Sequence, residues 1–222
     1  PPPNDASVEQ SGPENSRPPA VQADDCVRTL SVILRSSKNS VIFGQFSTAP
    51  RPPIRADVAE WPRHRVWRID GRSGARAALA GTGTTGFSGD AGPAPSAQLY
   101  FPLDVAVDAK DQIYIADWAN DRIRRVDNAG IITTVAGSGP GNFEGGFSGD
   151  RGPATEARLN RPQAIAVDSS GQIFIADSEN NRVRRVGTDE IIATVAGTGE
   201  WHDDEFSGAR SALDVNLGRT FS

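Results

Sequence analysis

The sequence predicts an all-β fold made of repeated four-stranded units, and three observations lead to it. Two nearly identical segments, GFSGDAGPA from Gly86 and GFSGDRGPA from Gly146, lie sixty residues apart. Each is followed by short runs rich in isoleucine, valine and threonine, which strands favour. The 222 residues also include 23 glycines and 16 prolines. That composition suits many short strands and turns better than long helices.

Internal repetition organises most of the chain. When Phe87–Asp127 is laid on Phe147–Gly187 without gaps, 23 of 41 positions are identical, where chance would give about two or three. A weaker copy runs from Ala59 to Asp70, and a partial one begins at Glu205. The sequence therefore predicts the tail of one unit at 59–83, whole units at 84–139 and 140–199, and a truncated unit at 200–222.

The residues before the repeats differ in composition. Residues 1–25 are rich in proline and polar residues, too poor in apolar surface to offset the entropy of ordering, and we expect them to be disordered. Residues 26–58 are a poorly defined segment, interpreted as the degenerate start of a unit.

Each unit contains four β-like runs. In the first whole unit they are LDVAVD, QIYIAD, RIRRVD and GIITTVAG. The second run places Ile113 and Ile115 on one face and Tyr114 on the other, so it must be covered on both sides. Stacked four-stranded sheets give that cover, which is the arrangement of β-propeller blades. In the connector that precedes the first run, Gly152-Pro153 predicts one or two helical turns.

The segment FSGDRGPATEARLNRPQAIAVDSSGQIFIADSENNRVRRV closely resembles NHL-repeat proteins, in the long-connector form of bacterial proteins and teneurins. The resemblance covers about Ala59 to Leu217. It implies a propeller that usually has six blades, so this chain is interpreted as a partial propeller, with two full blades plus fragments. An open arc leaves blade faces uncovered, and we expect it to self-associate.

The resemblance also implies a function. NHL propellers present a broad face of loops to a protein, and less often to a glycan or RNA. We therefore expect this chain to be a non-enzymatic scaffold that needs no cofactor. Extracellular or cell-surface placement is an expectation at the level of the family. The alternative is a fragment of an NHL-propeller enzyme such as a metal-dependent lyase or hydrolase, which would need histidines converging on the central channel.

The repeated charged residues favour structural roles. Aspartates after strands cap turns more often than they bind calcium or act in acid–base catalysis; they are Asp108, Asp117, Asp168 and Asp177. Asp90 and Asp150 are interpreted as anchors of the connector, with metal binding as the alternative. We expect Arg122 and Arg182 to reach back to the turn carboxylate of their own blade, with an anionic partner such as RNA as the alternative.

One turn in each unit diverges within the repeated frame and is the candidate partner contact. It holds an expected exposed Trp118 beside Ala119 in one unit, and Ser178 beside Glu179 in the next. Divergence at a fixed position is typical of a binding face, with structural drift as the alternative, and for Trp118 the alternative is packing at the blade edge. The partner class we favour is protein.

Composition excludes other classes. The net charge of −5 argues against a dedicated nucleic-acid binder. Only one cysteine is present, so a disulfide within the chain is impossible. No run of about 18 apolar residues is found, and we expect no membrane insertion. The two histidines, His64 and His202, are far apart in the sequence and do not form a zinc motif.

Overall fold

The computed structural model describes residues 30–35, 41–46, 55–140, 144–200, 211–214 and 217, with the backbone alone for 30–35 and 41–46. The disorder expected for residues 1–25, and most of the truncated unit at 200–222, lie outside these ranges. In the described part, strands are joined by turns and short 3-10 segments, and three antiparallel sheets form. This confirms the predicted all-β class.

The first sheet contains five strands in sequential order. They are β1 (Leu30–Arg35), β2 (Val41–Phe46), β3 (Arg55–Glu60), β4 (Arg65–Asp70) and β5 (Arg76–Ala80). The boundary placed at Ala59 falls inside β3. Strands β1 and β2 lie within residues 26–58, the segment interpreted as the degenerate start of a unit.

The middle and last sheets correspond to the two whole units. The middle sheet has the order β6-β10-β9-β8-β7 and the last has β11-β12-β13-β14. The strands of the middle sheet are β6 (Gly92–Pro93), β7 (Pro102–Val107), β8 (Ile113–Asp117), β9 (Arg122–Val126) and β10 (Ile131–Ala136). Those of the last sheet are β11 (Pro162–Val167), β12 (Ile173–Asp177), β13 (Arg182–Val186) and β14 (Ile192–Ala196).

The three sheets stack as propeller blades, with strands β2, β7 and β11 side by side. Strand β2 contacts β7, and β7 contacts β11. At the latter contact the Asp104 carboxylate accepts the Ile165 N–H at 2.9 Å. Ile113 and Ile115 face the first blade, whereas Tyr114 faces the last. Strand β8 is therefore covered on both sides, as its apolar residues predicted.

Small residues behave differently in the two whole units. Ala106 on β7 is buried, but its counterpart Ala166 on β11 is exposed. Since Ala106 packs against the last blade and no described sheet covers the last blade in turn, only one of them is crowded.

Each connector joins two blades through a short 3-10 turn. The turn at Ala154–Glu156 replaces the one or two helical turns expected after Gly152-Pro153. Its Ala154 carbonyl accepts the N–H of Gly137, just after β10. Gly137 has φ +95, and a Cβ there would lie 2.3 Å from the Asp121 carbonyl oxygen. The glycine of the repeated AGSG and AGTG motifs is thus required by close backbone approach.

A buried arginine fixes the connector to the blade. The Arg124 side chain has no exposed surface, and its Nη2 donates to Asp90 Oδ1 at 2.7 Å and to the Ser88 carbonyl at 3.1 Å. Its Nη1 lies 3.4 Å from Asp117 Oδ2. Arg184 repeats the pattern with Asp150 at 2.7 Å and Asp177 at 3.3 Å. One cation therefore serves two carboxylates from separate segments.

The expected pairing of Arg122 with the turn carboxylate was wrong. Although Arg122 lies directly opposite Asp117 in the sheet, its Nη1 donates to the Asn120 carbonyl at 2.8 Å and its guanidinium stacks on Phe87. Arg182 does the same with Asn180 and Phe147. In each of these two blades the half-buried arginine thus faces solvent and the phenylalanine ring. The turn carboxylate pairs instead with the fully buried arginine two residues further along the strand.

Asp117 occupies an environment that is both buried and rich in donors. Burial raises its pKa to about 6, although the Asn120 amide, the Tyr100 N–H and Arg124 all favour the ionised form. Asp177 has the same surroundings, and burial likewise raises its pKa to about 6. These carboxylates do more than cap a turn, because they join the strand end to the segment before the first strand.

The first blade replaces this ion pair with a neutral donor. Trp67 stands at the position of Arg124, and Glu60 at that of Asp117. The indole Nε1 of Trp67 donates to Glu60 Oε2 at 2.7 Å. The link between strand end and third strand is therefore kept in the degenerate copy by a different pair of residues.

Replacing the deep arginine should cost far more stability than replacing the outer one. Arg124→Met leaves Asp117 and Asp90 without their shared cation, and we expect a loss of about 3–5 kcal/mol in the free energy of unfolding. Arg122→Met removes a half-buried side chain bonded to a carbonyl, with an expected loss of about 1 kcal/mol. Urea denaturation of both variants measures the difference, and equal losses would contradict it.

Candidate binding surface

The turn between the second and third strands has the same backbone in all three blades. It is a 3-10 turn at Trp61–Arg63, Trp118–Asn120 and Ser178–Asn180. A residue in the left-handed region follows each turn, with φ between 48° and 54°: His64, Asp121 and Asn181. Asparagine and aspartate tolerate this conformation, and histidine is also enriched there.

This left-handed residue links its blade to the next one. His64 Nδ1 accepts the Phe101 N–H at 3.1 Å, and Asp121 Oδ1 accepts the Arg161 N–H at 2.8 Å. Phe101 and Arg161 each precede the first strand of the following blade and also have positive φ. Neighbouring blades are thus held in register at one end of their strands by a repeated side-chain bond.

A row of rings follows these links across the surface, and we call it the aromatic row. His64 and Phe101 are centred 4.7 Å apart, Tyr100 and Phe101 5.0 Å, Trp61 and Phe101 5.6 Å, and Phe101 and Trp118 6.2 Å. All five rings are half-buried. Tilted and edge-on pairs at these separations are favourable, and the exposed parts present apolar surface with polar edges.

Charged side chains extend the row onto the last blade. The Arg161 guanidinium lies 5.5 Å from the centre of the Trp118 ring. Its Nη1 lies 3.6 Å from Glu179, whose side chain is 51% exposed. The surface therefore passes from aromatic rings on the first two blades to an ion pair on the third. This combination of aromatic rings and arginine is typical of protein interfaces.

The candidate contact residues fall on this surface with two corrections. Trp118 is half-buried and not exposed as expected, because Phe101 and Arg161 pack against its ring. Ala119 is fully buried, and its N–H donates to the Tyr100 carbonyl. A partner therefore cannot contact Ala119 directly. Ser178 is half-buried and Glu179 is exposed at the equivalent positions.

The remaining aspartates lie away from the aromatic row. Asp108 Oδ1 accepts the N–H groups of Lys110 and Gln112, and Asp168 Oδ1 accepts those of Ser170 and Gln172. They lie in the turns between the first and second strands, at the opposite end of the blades. Asp90 contacts Arg124 and the Thr134 hydroxyl in the connector. Asp150 is paired with Arg184.

Sequence reasoning identified Trp118 but missed the other rings of the row. Tyr100 and Phe101 differ from their counterparts Asn160 and Arg161, and Trp61 lies in the degenerate copy. One observation could have indicated Trp61: it aligns with Trp118 in the gapless alignment of the two copies. The side-chain bond between His64 and Phe101 joins different blades and required the structure.

The part of the chain that the structure describes holds neither a metal-binding cluster nor a membrane-spanning helix. Within it, no group of three or more histidine, cysteine, aspartate or glutamate side chains could hold a metal ion. His202 and Cys26 lie outside the described ranges. No helix among the described residues has the length and apolarity to cross a membrane.

The repeated blades match a known family of propeller domains. The family model of the teneurin NHL domain matches residues 77–142 and 140–219. The chain therefore belongs to the teneurin NHL domain family.

The relatives are longer proteins. The chain is 34% identical over 138 residues to NHL repeat-containing protein 2 of Gallus gallus, covering 58% of the chain and 18% of that protein. It is 38% identical over 90 residues to human Teneurin-4, covering 36% of the chain and 3% of that protein. A crystal structure of a Bacteroides thetaiotaomicron protein of unknown function matches with a TM-score of 0.52 at 20% identity, covering 70% of this chain and 44% of that one. That structural likeness concerns the fold alone.

The link at His64 should depend on pH. Burial lowers the pKa of His64 below its ordinary value, so the stability that comes from its neutral acceptor is present above about pH 6.5 and lost as the pH falls through the lowered pKa. His64→Asn keeps an acceptor that does not titrate, and asparagine already occupies the equivalent left-handed position at Asn181. The wild-type stability relative to the variant should fall between about pH 8 and about pH 5.

The measurement is the free energy of unfolding of both proteins by urea denaturation at each pH. Since the two share every other titrating group, the difference isolates His64. A difference that does not change with pH would contradict this role.

Proposed function

We propose that this NHL propeller segment is a non-enzymatic scaffold that binds a protein partner through the aromatic row. The observation that carries the proposal is a set of half-buried rings that crosses two blades without a break and continues into the pair formed by Arg161 and Glu179. Family membership supports the proposal at the level of the class.

The physical argument concerns the entropy of the contact surface. Tryptophan, tyrosine and phenylalanine offer large areas at little conformational cost, and arginine combines stacking with directed bonds. Here Phe101 is held by contacts to Trp61, His64, Tyr100 and Trp118. A partner would therefore meet rings that are already fixed, which lowers the entropic cost of binding.

Trp61→Ser/Trp118→Ser tests the surface with substitutions that the fold already accepts. Serine occupies the equivalent turn position of the last blade, at Ser178, with nearly the same backbone. A displayed random peptide library is selected on the wild-type protein, and the selected peptides are titrated against both proteins. We expect the double variant to bind them at least about tenfold more weakly, because aromatic anchors dominate protein interfaces.

The matched control is Arg151→Ala in the connector. Arg151 is exposed with φ 67°, and Ala91 occupies the equivalent position with φ 62°. The control should bind the peptides as the wild type does. A library that yields no binder, or binders that ignore the loss of both tryptophans, would refute the proposal.

Self-association, also expected from the sequence, stays a prediction that light scattering on the purified chain checks.

A further inference from the structure

The two junctions between blades differ at the end opposite the aromatic row. At the first junction, Arg55 on β3 forms an ion pair with Asp111 in the turn that follows β7. Next to it, the buried carboxylate of Asp57 holds Arg68, with Nε–Oδ1 at 2.8 Å and Nη2–Oδ2 at 3.1 Å. Two arginines and two carboxylates thus close this junction.

Among the residues that the structure describes, the second junction lacks all of these carboxylate contacts. The repeat places Gln112 where Arg55 stands, Gly171 where Asp111 stands, and Tyr114 where Asp57 stands. A cleft of about 430 Å³ lies there between the middle and last blades. That volume is within the range of small-molecule sites, about 300–1,000 Å³. The cleft is therefore the open counterpart of a junction that the first two blades fill.

Arg125 lies in the lining of this cleft and is the counterpart of Arg68. In the described ranges no carboxylate lies within 4 Å of its guanidinium, and its Nε is buried without a hydrogen bond. Arg68 shows what this position does when a carboxylate is supplied, namely a two-point contact. Arg125 presents the same planar donor group without an acidic residue of the described chain to receive it.

The other lining groups are mainly hydroxyls and charges held by their own turns. Thr133, Thr155, Ser170 and Tyr114 line the cleft. Asp108 and Asp168, which also line it, accept N–H groups of their own turns. Lys110 and Glu190 are exposed at its edge. Burial, together with the nearby Asp108 carboxylate, raises the pKa of Tyr114 to about 12, and the Arg125 guanidinium beside the same hydroxyl opposes this rise. The Tyr114 hydroxyl is thus a neutral neighbour of Arg125 at neutral pH.

We propose that the cleft binds a small carboxylate that carries several hydroxyl groups, a compound of the sugar-acid class. Its carboxylate takes at Arg125 the part that Asp57 plays at Arg68, and its hydroxyls bond to the threonine, serine and turn aspartate groups. The site is independent of the aromatic row, which lies at the other end of the strands, so the two proposals fail separately.

Isothermal titration with D-glucuronate tests the site, with D-glucose and acetate as the two partial ligands. We expect glucuronate to bind with a Kd of about 1 mM or tighter, and each partial ligand to bind at least about tenfold more weakly. Binding of glucose or acetate as tight as that of glucuronate would overturn the assignment, as would no binding of glucuronate.

Variants of the arginine locate the contact. Arg125→Gln should weaken glucuronate binding about tenfold or more, and Arg125→Lys should retain part of it, because lysine keeps the charge but loses the planar two-point geometry. Arg185→Gln is the matched control, since Arg185 holds the same place on β13 but does not line the cleft. Circular dichroism confirms that each variant folds. Equal binding by Arg125→Gln and Arg185→Gln would overturn the proposal.

The double variant Gln112→Arg/Gly171→Asp tests whether glucuronate binds in this cleft, because it closes the cleft with an ion pair between the middle and last blades. It rebuilds the ion pair of Arg55 and Asp111 at the second junction. Gly171 has φ +88 with no atom within 4 Å of an added Cβ, and Asp111 tolerates φ 69° at the equivalent position. The double variant should lose glucuronate binding at least about tenfold while its unfolding midpoint does not fall. Unchanged binding in a folded double variant would contradict a site in this cleft.

Discussion

The fold depends on an arginine that is buried completely and shared by two carboxylates. Arg124 and Arg184 each join the end of the second strand to the connector that enters the blade. A buried cation without partners would cost several kcal/mol, so the surrounding segments can adopt few other arrangements. The repeated FSGD motif of the connector follows from this constraint, because Asp90 and Asp150 complete the coordination of the guanidinium.

Once the blades are fixed in this way, their two ends become free to differ. The aromatic row and the cleft arise at opposite ends of the same strands, from substitutions at positions that the repeat makes equivalent. Trp118 and Ser178 occupy one such position, and Arg55 and Gln112 another. Repetition supplies the framework, and the departures from it supply the chemistry of the surfaces.

The sequence predicted the repeated strands, and it missed the side-chain contacts that join the connector to its blade and one blade to the next. The runs of β8 and β12, with apolar residues on both faces, were sufficient to predict stacked sheets. The sequence could not show which arginine pairs with Asp117, because Arg122 and Arg124 lie on one face of β9 and Arg122 is directly opposite Asp117 in the sheet. Arg124 makes the pair because the connector covers it and buries its guanidinium. The contact of His64 with Phe101 joins residues 37 apart, and no local pattern encodes it.

The connectors also have a mechanical meaning. Each crosses from the last strand of one blade, through the backbone bond between Gly137 and Ala154 or between Gly81 and Ala94, into the arginine of the next blade. Under tension along the chain, each connector would stay attached to its blade until that arginine releases it. Extension would then proceed in discrete steps of one repeat, about 200 Å of chain for sixty residues. The propeller segment would thus lengthen one repeat at a time under force, and its extension would not increase smoothly.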